Sequence, residues 1–207
     1  MNITQFQLEE LIKCHKDPVY FIKKYILLDV ELANKHVEHI VSMHNNPIAI
    51  GEFDRGDMKT TMDVSYALWR IMFNHDQRIM FITKNSNETD QIMKRVYEYL
   101  DKLPSFMEPK IKIRNKHELR FESGSGITAG SVTRVRGQKL HMIFIPEFAS
   151  YTDHQQDDII CTMYGYFSTD NKLVITTTDV SYKDSPYGKL VLSIKCGRRK
   201  GNIVNCP

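Results

Sequence analysis

Lys59, Thr60 and Thr61 close the stretch Asp54-Arg55-Gly56-Asp57-Met58-Lys59-Thr60-Thr61, whose residue types and order suit the binding of phosphate. A Lys followed by Thr at the start of a helix offers an ammonium and backbone N–H groups to phosphate oxygens, and a hydroxyl to magnesium. The residue before such a Lys is usually Gly, because the backbone there comes close to the phosphate and takes left-handed angles. Here it is Met58, for which that conformation costs about 1–2 kcal/mol and whose side chain can crowd a ligand. A second group lies further on, where His141-Met142-Ile143-Phe144-Ile145-Pro146-Glu147 is an apolar run ending in an acid. In nucleotide hydrolases an Asp at such a strand end holds magnesium, and the following Glu polarises the attacking water. Glu147 occupies the position of that base, whereas Pro146 occupies the position of the Asp and offers no ligand.

The elements that must position these groups follow from periodicity. Residues 47–50 form a short buried strand before the loop, and 60–73 a helix after it. Residues 78–83 and 140–145 are apolar runs expected of buried parallel strands, and 172–176 is a further strand. Asn85 with Glu88 caps a helix on which Ile92, Val96 and Leu100 share a face. Residues 112–121 alternate as one strand, Ser123-Gly124-Ser125-Gly126 forms a turn, and 127–131 returns. Asp17-Pro18 starts a helix within an N-terminal helical stretch, and 31–44 forms another. Trp69, Tyr66, Leu68 and Phe73 are expected to pack the loop helix on the sheet. Strands alternating with helices predict an α/β fold with a mainly parallel central sheet flanked by helices. Residues 1–46 are read as a helical segment packed on a core formed by 47–207. In such a sheet Lys59 and Glu147 should face one cleft at the carboxyl ends of neighbouring strands.

Composition narrows the function classes. The 207 residues carry 42% apolar and 26% charged residues with a net charge of +3, ordinary values for a water-soluble domain. No stretch has the length of a membrane span, and the N-terminus lacks a basic-then-apolar signal pattern. Cys14, Cys161, Cys196 and Cys206 are scattered without a CxxC pair, as expected of reduced cytosolic thiols. His36, His39 and His44 do not share one helical face, and Ser131, Ser150, Asp153 and His154 lack nucleophile-elbow glycines. Basic residues cluster at 110–120 and 195–200, and Tyr164, Tyr166 and Phe167 could stack on bases.

The chain resembles the ATPase domain of the large terminase subunit of tailed bacteriophages, the motor that packages DNA into the capsid. The resemblance spans about residues 14–193. It rests on Asp17-Pro18-Val19-Tyr20-Phe21-Ile22, on the loop with Arg55 four positions before Lys59, and on Lys84-Asn85-Ser86 with the later Leu103-Pro104. Asn115-Lys116 through Glu122-Ser123-Gly124-Ser125 resembles the family's hairpin. Arg136-Gly137 and the run Ile143 to Phe148 resemble its Arg-Gly and acidic-strand elements, and Ile175-Thr176-Thr177-Thr178 its coupling motif. These segments match the terminase pattern better than any helicase motif.

The resemblance implies a P-loop NTPase-like fold that binds ATP and Mg2+. Lys59, Thr60, Thr61 and Gly56 would hold the phosphates, with Thr60 also on magnesium. Arg55 would approach the terminal phosphate, Glu147 would be the catalytic base, and Thr176 and Thr177 would be coupling residues. The departures are Met58, Pro146, and an adenine-binding segment whose best register gives Ala33 and His36 in place of an aromatic and a Gln. It implies double-stranded DNA, a phage portal or other terminase subunits as partners, no membrane, assembly into an oligomer only on the portal, and the cytoplasm of an infected bacterial host. The family's nuclease domain finds no room in 207 residues. Two readings follow: a packaging ATPase tolerating these substitutions, or a pseudo-ATPase kept as a DNA-, portal- or terminase-binding module.

Overall fold

The computed structural model describes residues 3–28, 30–163, 171–178 and 184–205. Tyr164, Tyr166, Phe167 and Cys206 lie outside the described residues. The chain opens with α1 (Gln5–Lys16), α2 (Pro18–Phe21, continuing as a π-turn over Ile22–Ile26) and α3 (Asn34–Asn45). There follow β1 (Ile48–Glu52), α4 (Lys59–Phe73), β2 (Arg78–Ile82) and α5 (Ser86–Leu100). Then come β3 (Ile111–Arg114), β4 (Glu118–Phe121), β5 (Gly126–Gly130) and β6 (Met142–Pro146). The last elements are α6 (Asp153–Met163), β7 (Lys172–Thr177), α7 (Pro186–Lys195) and β8 (Asn202–Asn205).

The strands form one sheet of order β3-β4-β5-β2-β6-β7-β1-β8. Its β3–β4 and β4–β5 pairings are antiparallel and the remainder parallel. The expected α/β fold with a mainly parallel sheet is the observed one. Successive strand residues enter opposite layers, which is why the central strands read as unbroken apolar runs. Ala49, Ile79, Phe81, Met142, Phe144 and Val174 join a cluster with helices α1 to α5. Ile48, Ile50, Met80, Ile82, Ile143, Ile145, Leu173 and Ile175 join a second cluster with α6 and α7. Phe81 stacks on Phe144 with centroids 4.6 Å apart. Cys14, Phe21, Ile22, Ile40 and Met43, from the 1–46 segment, belong to the first of these clusters.

Local chemistry explains the boundaries. Asp17 caps α2, its side chain accepting from Tyr20 N at 3.0 Å, with Pro18 in the first turn. Asn85 caps α5 through Glu88 N. Four expectations are corrected. The helix expected at 31–44 starts three residues later, at Asn34. The single strand expected at 112–121 is two antiparallel strands, because Asn115 Oδ1 accepts from His117 N and Glu118 N and turns the chain. Trp69 faces the N-terminal helices, donating Nε1–H to Cys14 O at 2.7 Å, while Phe73 meets Phe21 edge-on. The strand carrying Glu147 is not a neighbour of β1, since β7 lies between β6 and β1. No helix among the described residues is long and apolar enough to cross a membrane.

Candidate functional site

β1 is buried along its whole length and delivers the chain at its carboxyl end into residues 53–58. The loop turns through Gly56 at φ 92°, a conformation open to glycine, and Met58 N donates to Gly56 O at 2.8 Å. Met58 itself sits at φ 52°, ψ 19°, the left-handed conformation expected where Gly is usual. Its partly buried side chain packs against the apolar cluster shared by the sheet and α1 to α5. α4 begins at Lys59 with no side-chain cap, and its first backbone bond is Met62 N to Met58 O. The N–H groups ahead of it therefore present the partial positive charge that attracts anions. Asp57 does not cap the helix. It pairs with Lys35 of α3 and accepts from Asp54 N at 3.2 Å, which ties the loop to the N-terminal segment. That hydrogen bond from Lys35 holds the Asp57 carboxyl below the ordinary range, against a smaller opposing effect of burial.

Lys59 and Glu147 meet in one cleft, as expected. Lys59 Nζ lies 2.9 Å from Glu147 Oε1, with the Lys side chain 7% and the Glu side chain 36% exposed. Glu147 also has a positive φ, 51°. Among the described non-glycine residues only Met58, Asp76 and Glu147 do, and two of these three adjoin the Lys59–Glu147 pair. Glu147 Oε2 accepts from Thr178 Oγ1 at 2.8 Å and from Thr178 N at 3.1 Å. Both of its oxygens are thus engaged. Pro146 is buried at the end of β6 in register with Thr176, beyond the last residue paired to β2. There the missing N–H interrupts little of the ladder, and no carboxylate stands at that position.

The other expected residues are spread around this pair. Thr60 borders a cavity of about 230 Å³ with Pro146 and Glu147. Thr61 Oγ1 accepts from Arg95 Nη1 at 3.2 Å. Arg55 is exposed. Thr176 donates to Asp63 Oδ2 at 2.8 Å, and Thr177 is buried with its carbonyl accepting from Phe53 N at 3.0 Å. Ala33 is the exposed residue preceding α3. His36 is buried and stacks on Phe53 at 6.3 Å. Burial first, and then Lys35, push the His36 pKa down. Among the described residues no group of three or more His, Cys, Asp or Glu side chains is placed to hold a metal.

Sequence reasoning missed Asp63, and it named His39 and Thr178 without the contacts they make here. Asp63 lies one helical turn after Lys59 and is fully buried, its Oδ1 3.1 Å from His39 Nε2. Thr176 and Thr178 are two residues apart, so alternating hydroxyls near the end of β7 hold Asp63 and Glu147 respectively. The signals were present: an acid between Met62 and Val64 in an apolar helix, and the period of two along a strand.

No family model matches the chain. Solved structures do, and they define the fold as the P-loop NTPase-like α/β class. The HK97 bacteriophage large terminase is 12% identical with a TM-score of 0.67, over 89% of this chain and 42% of that one. The Thermus phage P74-26 large terminase ATPase domain is 15% identical with a TM-score of 0.59, over 79% and 70%. The large terminase of another thermophilic bacteriophage, in complex with ADP, is 13% identical with a TM-score of 0.62, over 85% and 45%. Phage large terminase ATPase domains are therefore structural neighbours of this chain, which spans less than half of the HK97 chain and of the ADP-bound one. The UvsW helicase from bacteriophage T4 also matches, at 14% identity and a TM-score of 0.54 over 86% of this chain and 61% of that one, so the fold is common to terminases and helicases.

Proposed function

We propose that this chain is a terminase-type nucleotide-binding domain associated with the packaging of double-stranded phage DNA. ATP is its ligand, and a portal or terminase subunit is its partner in the cytoplasm of an infected bacterium. One observation carries the reading. The Lys59 ammonium stands at the junction of loop and helix, 2.9 Å from the acid that ends a central strand, at the carboxyl edge of a parallel sheet. Glu147 is the counter-ion to a Lys whose use in this fold is to hold phosphate. Lys59 and the first N–H groups of α4 would take the phosphates, with Thr60 beside them.

Magnesium fits these residues poorly. Thr60 is a suitable donor, but Pro146 supplies none and both Glu147 oxygens are already engaged. The second reading, a pseudo-ATPase retained as a DNA-, portal- or terminase-binding module, draws its support from this same donor set. We therefore expect nucleotide binding with hydrolysis below about 1 per second, the lower end of ordinary enzyme turnover, with or without DNA. Calorimetric titration with ATP and magnesium, up to roughly 1 mM nucleotide, the upper end of ordinary KM values, tests the proposal. Binding should be seen and should vanish in Lys59→Ala. No heat of binding would defeat the nucleotide reading, and turnover abolished by Glu147→Gln would restore a working motor.

A further inference from the structure

The cavity beside α4 contains a cation that the phosphate loop does not use. Glu88, Gln91, Ile92 and Arg95 follow one another at helical spacing along α5 and form one wall, opposite Thr60, Pro146 and Glu147. Arg95 is half-buried, and its Nη1 donates to Thr61 Oγ1 at 3.2 Å. No carboxylate among the described residues forms an ion pair with it. Glu147 is neutralised by Lys59, and Glu88 Oε2 accepts from Lys84 N at 2.8 Å. Pro146 has a further consequence here, because an acid at that place on the wall would compete for the guanidinium. A guanidinium carries five N–H donors in a fixed fork, and the bond to Thr61 uses one of them, leaving others to face the cavity. At about 230 Å³ the cavity has room for several waters or for a phosphoryl group.

We propose that Arg95 recognises the terminal phosphate of a nucleoside triphosphate and makes this site prefer triphosphate to diphosphate. The inference rests on the reading above that nucleotide phosphates lie on the loop at Lys59. With the first phosphates at Lys59, the chain of phosphates extends past Thr60 into the space that Arg95 faces. The free N–H groups of Arg95 then form charge-assisted hydrogen bonds to its end.

The test is calorimetric titration of the whole chain with ADP and with the β,γ-imido analogue of ATP, for wild type, Arg95→Ala and Arg95→Lys. The wild type should bind the triphosphate analogue more tightly. Arg95→Ala should lower that affinity by roughly tenfold or more, the weight of a charge-assisted bond, and leave ADP within about twofold. Arg95→Lys should recover part of the loss. Arg95→Gln, which can still donate to Thr61, serves if the alanine variant does not fold. Wild-type binding with Arg95 variants unchanged, or with ADP and triphosphate weakened equally, would overturn the role of Arg95 alone. A wild type that binds neither nucleotide would overturn the nucleotide reading and this inference with it.

Discussion

Met58 holds a backbone conformation that its own side chain opposes, and the loop has kept the shape that glycine would supply freely. The strain is about 1–2 kcal/mol, offset in part by packing of the half-buried side chain on the core. Met58→Gly removes both effects, so its net change in unfolding free energy should stay within about 1 kcal/mol, measured by urea denaturation. A larger loss would mean that the side chain, not the backbone, organises the loop. With no carboxylate at Pro146 to hold the metal, this substitution alone should add little nucleotide affinity. Pro146→Asp alone should also add little, because the metal needs a bound phosphate to complete its ligands. The two together should show a coupling of about 0.5–3 kcal/mol in a double-mutant cycle for Mg-ATP binding; strict additivity would show that the loop is not shaped for nucleotide. Glu147→Gln acts in the opposite sense on binding. Lys59 loses the carboxylate that phosphate must displace, so ATP should bind several-fold more tightly, by the same calorimetry, while any turnover disappears. Weaker binding in this variant would show that Glu147 positions the ligand instead of competing with it.

At the level of elements, β7 is the part that joins the site together. Thr176 reaches Asp63 on α4 and Thr178 reaches Glu147 after β6, while Asp63 is also bound by His39 of α3. With the Lys59–Glu147 pair these contacts close a ring through α4, β6 and β7. Thr176→Val removes the hydroxyl that donates to Asp63 Oδ2 in a fully buried place, and should cost about 1–3 kcal/mol by denaturant unfolding; a neutral change would mean that water replaces the hydroxyl. Much of this arrangement was legible beforehand. The apolar runs marked β1, β2, β6 and β7, and the loop chemistry marked the start of α4 and its pairing with Glu147. Other features depended on contacts far apart in the chain. Asp63 stands out as an acid in an apolar helix, but its partners His39 and Thr176 are 24 and 113 residues away in the chain. β8 has four residues and becomes a strand by pairing with β1. Asn115, which splits the expected hairpin strand, acts through its side chain, and strand alternation does not register such a turn.

Over the whole molecule, the N-terminal helices and the sheet share one apolar cluster, and Trp69 is the only tryptophan. Its indole N–H is bonded to Cys14 O, so its fluorescence reports whether α1 is docked on α4. Cooperative unfolding predicts that Trp69 fluorescence and far-UV circular dichroism follow the same denaturation curve. A fluorescence transition at lower denaturant would mark 1–46 as a separately unfolding unit. The docking also has a pH signature. Glu10 is 3% exposed and accepts from Lys24 Nζ at 2.7 Å, Tyr20 OH at 2.8 Å and Tyr25 OH at 2.9 Å, linking α1 to α2 and its π-turn. Burial alone would raise its pKa, but these donors together outweigh it and bring the carboxyl from 4.5 to about 2. The folded pKa lies below the unfolded one, so between these values the unfolded chain binds more protons. The stabilisation by Glu10 is complete above about pH 4.5 and is lost as the pH falls through 2. Glu10→Gln should therefore lower stability at neutral pH and flatten its decline across that acid window. An unchanged acid limb in the variant would show that other carboxylates govern it, and that the Glu10 cluster does not secure the N-terminal helices.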